Sequence, residues 1–162
     1  MKIKIQLSKQ SNQAKSTVKT MSFSYVVTSQ KSTAVNHSII CKFTSETDCN
    51  LILAKGHHLE VHTLREDGLI AEIDVALYGN ILSLEAYRPP TLLHDVIYVL
   101  TDKKLFCVLG FDALTRKIIT RAVGSVKDRV GRECQSGQRG FIDPDNRMIG
   151  MLLYENSIKV RN

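Results

Sequence analysis

Leu51-Ile52-Leu53-Ala54, a polar turn over 55–58, and Leu59-Glu60-Val61 read as two short apolar strands joined by a tight connection. A run, a turn and a second run of this kind mark a β-hairpin. The pattern returns at an offset of 46, where Leu53, Leu59 and Val61 correspond to Val99, Leu105 and Cys107 around a turn at 101–104. It returns again after a further 53 residues, where the same positions are Leu152, Ile158 and Val160 around a turn at 155–157. A period of about 40–50 residues, with several short strands in each, is the mark of β-sheet blades stacked around a channel.

Outward from these hairpins, runs rich in Val, Ile, Leu and aromatic residues recur between polar or Gly-containing turns. They predict strands at 23–29, 37–43, 49–55, 58–63, 69–77, 80–87, 94–101, 104–111, 116–123, 139–142, 147–154 and 157–161. Some alternate with period two, as a half-buried strand does: Ile73, Val75 and Leu77 against Glu72, Asp74 and Ala76. Others are apolar on both faces, namely Val96-Ile97-Tyr98-Val99-Leu100 and Met148-Ile149-Gly150-Met151-Leu152-Leu153. A strand of that kind must be covered on both sides. No apolar stripe at helical spacing runs longer than about ten residues, so helix is minor. The fold class is therefore all-β: an incomplete β-propeller of about three four-stranded blades. Propellers close with four to eight blades. A three-blade chain is expected to leave a bare sheet face and unpaired strand edges, as a fragment, a truncated isoform or an incomplete gene product would. A small β-sandwich of the same strands, covering its own faces, is the alternative.

The length of 162 residues suits one domain with a real core. The formal net charge is +6, but Lys2, Lys4, Lys9, Lys15 and Lys19 fall in residues 1–20 with no acid among them, which leaves +1 for residues 21–162. The chain divides into a basic extension, 1–20, expected to be disordered, and a nearly neutral propeller body, 21–162. A body at +1 has no electrostatic footprint for nucleic acid, although the lysine tail suits loose contact with phosphates. The tail has no apolar core of a secretory signal and no Arg of a transit peptide. No stretch approaches the ~18 apolar residues of a membrane span.

Cys41, Cys49, Cys107 and Cys134 form no C-x-x-C pair. Cys41 and Cys107 sit inside apolar runs and read as small buried hydrophobes, free thiols of a reducing compartment. His57, His58, Glu60 and His62 cluster, yet strand alternation puts His58, Glu60 and His62 together on a face opposite Leu59 and Val61, and no H-E-x-x-H is present. That reads as a solvated turn and strand face rather than a zinc site. Asp143 and Asp145 flank Pro144, which is turn chemistry and not an acid–base pair. The chain has no G-x-S-x-G, and Gly124 to Gly131 lacks the ending of a phosphate-binding loop. These observations predict no enzyme, no metal and no cofactor. The longest irregular stretch is 125–140. Such a loop on a rigid scaffold suits partner contact, and its Arg129 and Arg132 are the candidate partner-binding residues, able to grip carboxylates in a bidentate fork.

The body also resembles a known family on specific residues. These are Tyr25-Val26-Val27-Thr28-Ser29-Gln30-Lys31-Ser32-Thr33-Ala34-Val35-Asn36, Phe43-Thr44-Ser45 and Asn50-Leu51-Ile52-Leu53-Ala54-Lys55. Further on come Ile118-Ile119-Thr120-Arg121-Ala122, Asp128-Arg129-Val130-Gly131-Arg132, Ile142-Asp143-Pro144 and Arg147-Met148-Ile149-Gly150-Met151-Leu152-Leu153-Tyr154. Over 21–162 the chain is similar to the N-terminus of the damage-specific DNA-binding adaptors of cullin-4 ubiquitin ligases, the large subunits of the UV-damaged-DNA-binding protein. Ser32 stands where that family usually has proline, and Cys49, His57-His58 and Ala113-Leu114-Thr115 also depart from it. The related large subunits of polyadenylation and splicing factors share the Asp143-Pro144 to Arg147 pattern and look less like 25–36.

The resemblance implies a scaffold without chemistry of its own. Family members carry three propellers and a helical C-terminal part; the first and third propellers clamp interchangeable substrate receptors and the second docks the cullin. This chain resembles about half of the first propeller, which by itself is expected not to recruit a ligase. The implied partners are protein receptors, with nucleic acid indirect at most, no membrane and no small molecule. The implied location is nucleus and cytoplasm, and the implied processes are DNA repair and ubiquitin conjugation. A nucleic-acid-binding module and a related propeller subunit of an mRNA-processing factor are the alternatives.

Overall fold

The computed structural model describes residues 30–128 and 131–161. The described residues form eleven strands and no helix. β1 is His37–Cys41, β2 Asn50–Lys55, β3 His58–Arg65 and β4 Gly68–Ala76. β5 is Ile81–Tyr87, β6 Val96–Thr101, β7 Leu105–Asp112 and β8 Lys117–Ser125. β9 is Arg139–Ile142, β10 Ile149–Tyr154 and β11 Ser157–Arg161. Each of these matches a strand expected from the alternation of apolar residues. The expected strand at 23–29 and the expected disordered extension at 1–20 lie outside the described residues.

The strands form three antiparallel meanders: β1-β2-β3-β4, β5-β6-β7-β8 and β9-β10-β11. The repeated hairpins are the middle pairs of the first and second sheets and the last pair of the third. Each carries one left-handed residue in its turn, Gly56, Lys104 or Asn156. Gly56, at φ +62, takes that conformation without a Cβ penalty, and its amide donates to Asn36 Oδ1 at 2.8 Å. The first two sheets have the expected four strands; the third has three among the described residues.

Stacking follows from which side of each strand is apolar. Ile52, Leu59 and Val61 of the first sheet meet Leu84, Ile97, Val99 and Leu109 of the second, with the Phe43 and Phe111 rings 6.0 Å apart. The opposite side of the second sheet, through Val96, Tyr98, Leu100 and Val108, packs on Met151, Leu153 and Tyr154 of the third. The second sheet is thus covered on both faces, and all six residues of β6 are buried. Burying one such large apolar side chain contributes about 1.5–3 kcal/mol. The three sheets are stacked in series, so the two-sheet sandwich does not describe this molecule, and the described sheets do not close a ring.

The third sheet keeps the bare face expected of the last blade in an unclosed stack. The run 148–153 is apolar on both faces, yet among the described residues only one face is covered. Met151 and Leu153 enter the second core, while the other side carries Leu152 and the exposed Phe141, Ile158 and Val160. The first sheet's outer side likewise exposes Ile40, Leu64 and Leu69.

Two sets of polar groups tie the strands and seams together, while the buried Tyr98 hydroxyl has no hydrogen-bond partner among the described residues. Asn50 is fully buried; its Oδ1 accepts from the amides of Phe43 and Thr44 at 2.9 Å, and its Nδ2 donates to Thr63 Oγ1 at 2.9 Å. Between the second and third sheets, the Gly140 amide donates to Ser83 Oγ at 3.0 Å and the Ser83 hydroxyl donates back to the Gly140 carbonyl at 3.3 Å. Glycine is needed there: a Cβ on Gly140 would stand 2.5 Å from Tyr98 Cε1.

Two outcomes are expected. Ser83→Ala strands a buried amide and carbonyl, and should cost about 1–3 kcal/mol in urea unfolding; the exposed Ser38→Ala should change little. Burial pushes the carboxyl of Glu85, cross-strand from Tyr98, above the ordinary range. The folded state then prefers the protonated form, so this group's contribution is most favourable in acid and is lost as pH rises through the raised pKa. Glu85→Gln should therefore raise the thermal midpoint at pH 7 and have a smaller effect near pH 4.

Candidate partner-binding site

The segment between β8 and β9 begins as a plug. Val126 is 2% exposed and belongs to the second core, and its amide donates to the Lys104 carbonyl at 2.9 Å. Beyond it the chain is gathered around Tyr154, at the end of β10. The Tyr154 hydroxyl accepts from the Asp128 amide at 2.7 Å and donates to the Val126 carbonyl at 3.4 Å. Lys159 Nζ donates to the same carbonyl at 3.1 Å and pairs with Asp128 Oδ2 at 3.3 Å. Two ammonium groups flank the aromatic ring, Lys159 Nζ at 5.2 Å and Lys104 Nζ at 5.5 Å from its centroid. Both lie within the range at which a cation is drawn to a ring face. Lys104 Nζ also bonds the Glu133 carboxylate, and that bond raises its pKa.

The segment then runs alongside β10. The Cys134 amide donates to the Leu153 carbonyl at 3.0 Å, the Glu155 amide donates to the Arg132 carbonyl at 2.9 Å, and Glu133 pairs with Tyr154 as an isolated bridge. Gly131 lies against the Tyr154 ring, where a Cβ would come within 2.6 Å of Cδ1. What reads in the sequence as a long irregular loop is a strap, tied to β10 and to the β6–β7 turn.

Arg132 projects from this strap. Its side chain is 73% exposed, with Nε 3.5 Å from Glu155 Oε2. The backbone is held while most of the guanidinium faces solvent. Arg129, the other candidate, lies outside the described residues. Tyr154, Lys104 and Lys159 were not singled out as site residues by sequence reasoning. The polar hydroxyl closing the apolar run at Tyr154 was a signal. The shift in pairing between Leu152 and Tyr154 that marks the end of β10 was not.

The other clusters fall where strand alternation places them. His58, Glu60 and His62 share the outer face of the first sheet. His58 Nδ1 lies 3.0 Å from Asp74 Oδ1, His62 Nε2 3.1 Å from Glu60 Oε2, and Lys55 Nζ 2.7 Å from the same oxygen. The Lys55 hydrogen bond chiefly holds the Glu60 carboxyl below its ordinary pKa. Among the described residues no three His, Cys, Asp or Glu side chains are grouped to hold a metal ion. Asp143 and Asp145 both pair with Arg147, at 3.1 and 2.7 Å, across a turn with Asn146 left-handed. Burial pushes the Cys41 thiol up to about 12 and the Cys107 thiol to about 11, so both stay protonated at neutral pH.

Residues 34–161 match the family model described as the RSE1/DDB1/CPSF1 first beta-propeller. The chain belongs to this family. Among curated relatives it is 45% identical to DNA damage-binding protein 1a of Arabidopsis thaliana over 139 residues. It is 46% identical to DNA damage-binding protein 1b of the same plant over 138 residues, and 44% identical to DNA damage-binding protein 1 of Solanum lycopersicum over 138. These alignments take in 85–86% of the chain and 13% of each relative. The first-propeller family accounts for the serial stack of sheets and includes both the strap and β10 within its matched span.

Tyr154→Phe keeps the ring between its two ammonium groups and removes the hydroxyl. Hydrogen exchange should then show faster exchange at the Asp128 amide, with a loss of about 1–3 kcal/mol because Val126 and Asp128 lose a shared partner. Tyr154→Ala should cost more, about 3–5 kcal/mol, by also emptying the ring's place in the core.

Proposed function

We propose that this chain is a non-catalytic protein-interaction module, the first-propeller part of an adaptor that holds substrate receptors on a cullin-4 ubiquitin ligase. On this reading it serves DNA repair and protein ubiquitination in the nucleus and cytoplasm. Its relatives are named for DNA damage binding, and it shares their first-propeller sequence. The chain spans 13% of those relatives' length; on this reading, clamping and ligase recruitment need the remainder of an adaptor.

The observation that carries the reading is the pairing of a held backbone with a largely exposed side chain at Arg132. The guanidinium fork matches a carboxylate in two parallel bonds, and the strap presents it without the ordering cost a loose loop would bear. Arg129 joins it in the proposed contact. The partner surface is a receptor protein carrying Asp or Glu opposite the strap. The reading includes no catalytic step, cofactor, membrane or small molecule; no helix among the described residues is long and apolar enough to cross a membrane.

Arg132→Glu, tested in a full-length adaptor context, should weaken receptor binding about tenfold or more. A charge-assisted bond contributes about 1.5–3 kcal/mol and each 1.4 kcal/mol is a factor of ten. Arg65→Glu, at the end of β3, should leave binding unchanged. Unaltered receptor binding by the Arg132 variant would remove the residue from the contact.

The relatives' names also raise direct nucleic-acid binding. Against it stands the body's charge of +1, with the spare lysines confined to residues 1–20. Residues 21–162 alone should show no salt-dependent retention on duplex DNA, whereas neutralising phosphates with the five lysines would give a log–log salt slope of roughly −0.9 per contact. Tight, salt-sensitive binding by 21–162 would reverse the order of the two readings.

A further inference from the structure

We draw no further inference here: the strongest candidate, the cleft of about 500 Å³ between strands β7 and β8 and the β9–β10 turn, lined in part by Arg147 and Arg161, carries none, because nothing in the structure shows what covers it.

Discussion

Everything in this molecule turns on a sheet that cannot stand alone. β6 carries Val96, Tyr98 and Leu100 on one side and Ile97 and Val99 on the other. Strand geometry sends successive side chains to opposite faces, so five consecutive apolar residues demand two dry neighbours. One neighbour is the first sheet and the other is the third. Neither core exists without the second sheet, because each uses one of its faces. Serial stacking is the solution available to a meander whose middle strand is apolar throughout, and repetition of that meander along the chain makes it a propeller arrangement.

Apolar burial draws the sheets together, and polar contacts set where they sit. The Ser83–Gly140 exchange of hydrogen bonds joins β5 of the second sheet to β9 of the third, at the point where Gly140 lets Tyr98 approach. On the other interface, Asp95 accepts from the Lys42 amide at 2.7 Å and from Arg88 Nε at 2.8 Å, while its own amide donates to the Lys42 carbonyl at 2.8 Å. Such contacts are directional where the hydrophobic contribution is not. A Val or Leu core tolerates sliding; an amide and a carbonyl sharing one serine hydroxyl do not.

Much of this was legible in the sequence, for reasons that can be named. Strand positions came through because alternation is local and turns at Gly56 and Asn156 punctuate it. The need for cover on both sides of β6 was written in five adjacent residues. At β10 the run 148–153 has the same apolar look, but the blade count called for a bare face at the end of the stack, and that side of the sheet carries Leu152 with the exposed Phe141, Ile158 and Val160. Composition tells what a face prefers, not what neighbour it has. The site was legible only as a location. Arg132 stood out as a cation in an irregular stretch, but the ties that hold its backbone come from Leu153, Tyr154 and Glu155, about twenty residues later. A long-range tie made through a tyrosine hydroxyl leaves no periodic trace.

The strap shows how the stacking energy reaches the surface. Tyr154 is 2% exposed and belongs to the second core, so its position is set by the same packing that seats Met151 and Leu153. Its hydroxyl then fixes Val126 and Asp128, and its backbone neighbours fix Arg132 and Cys134. Each step passes rigidity outward by one contact, from sheet to ring, ring to backbone, and backbone to an exposed guanidinium. A recognition residue on a free loop loses backbone entropy of about 1–2 kcal/mol per ordered residue when it binds. Here folding has already taken most of that loss, and the remaining freedom lies in the Arg132 side chain. Its contact with Glu155 is long at 3.5 Å and lies near solvent, where such pairs contribute little. On the proposed reading, a partner carboxylate that excludes water from the same guanidinium competes with that contact.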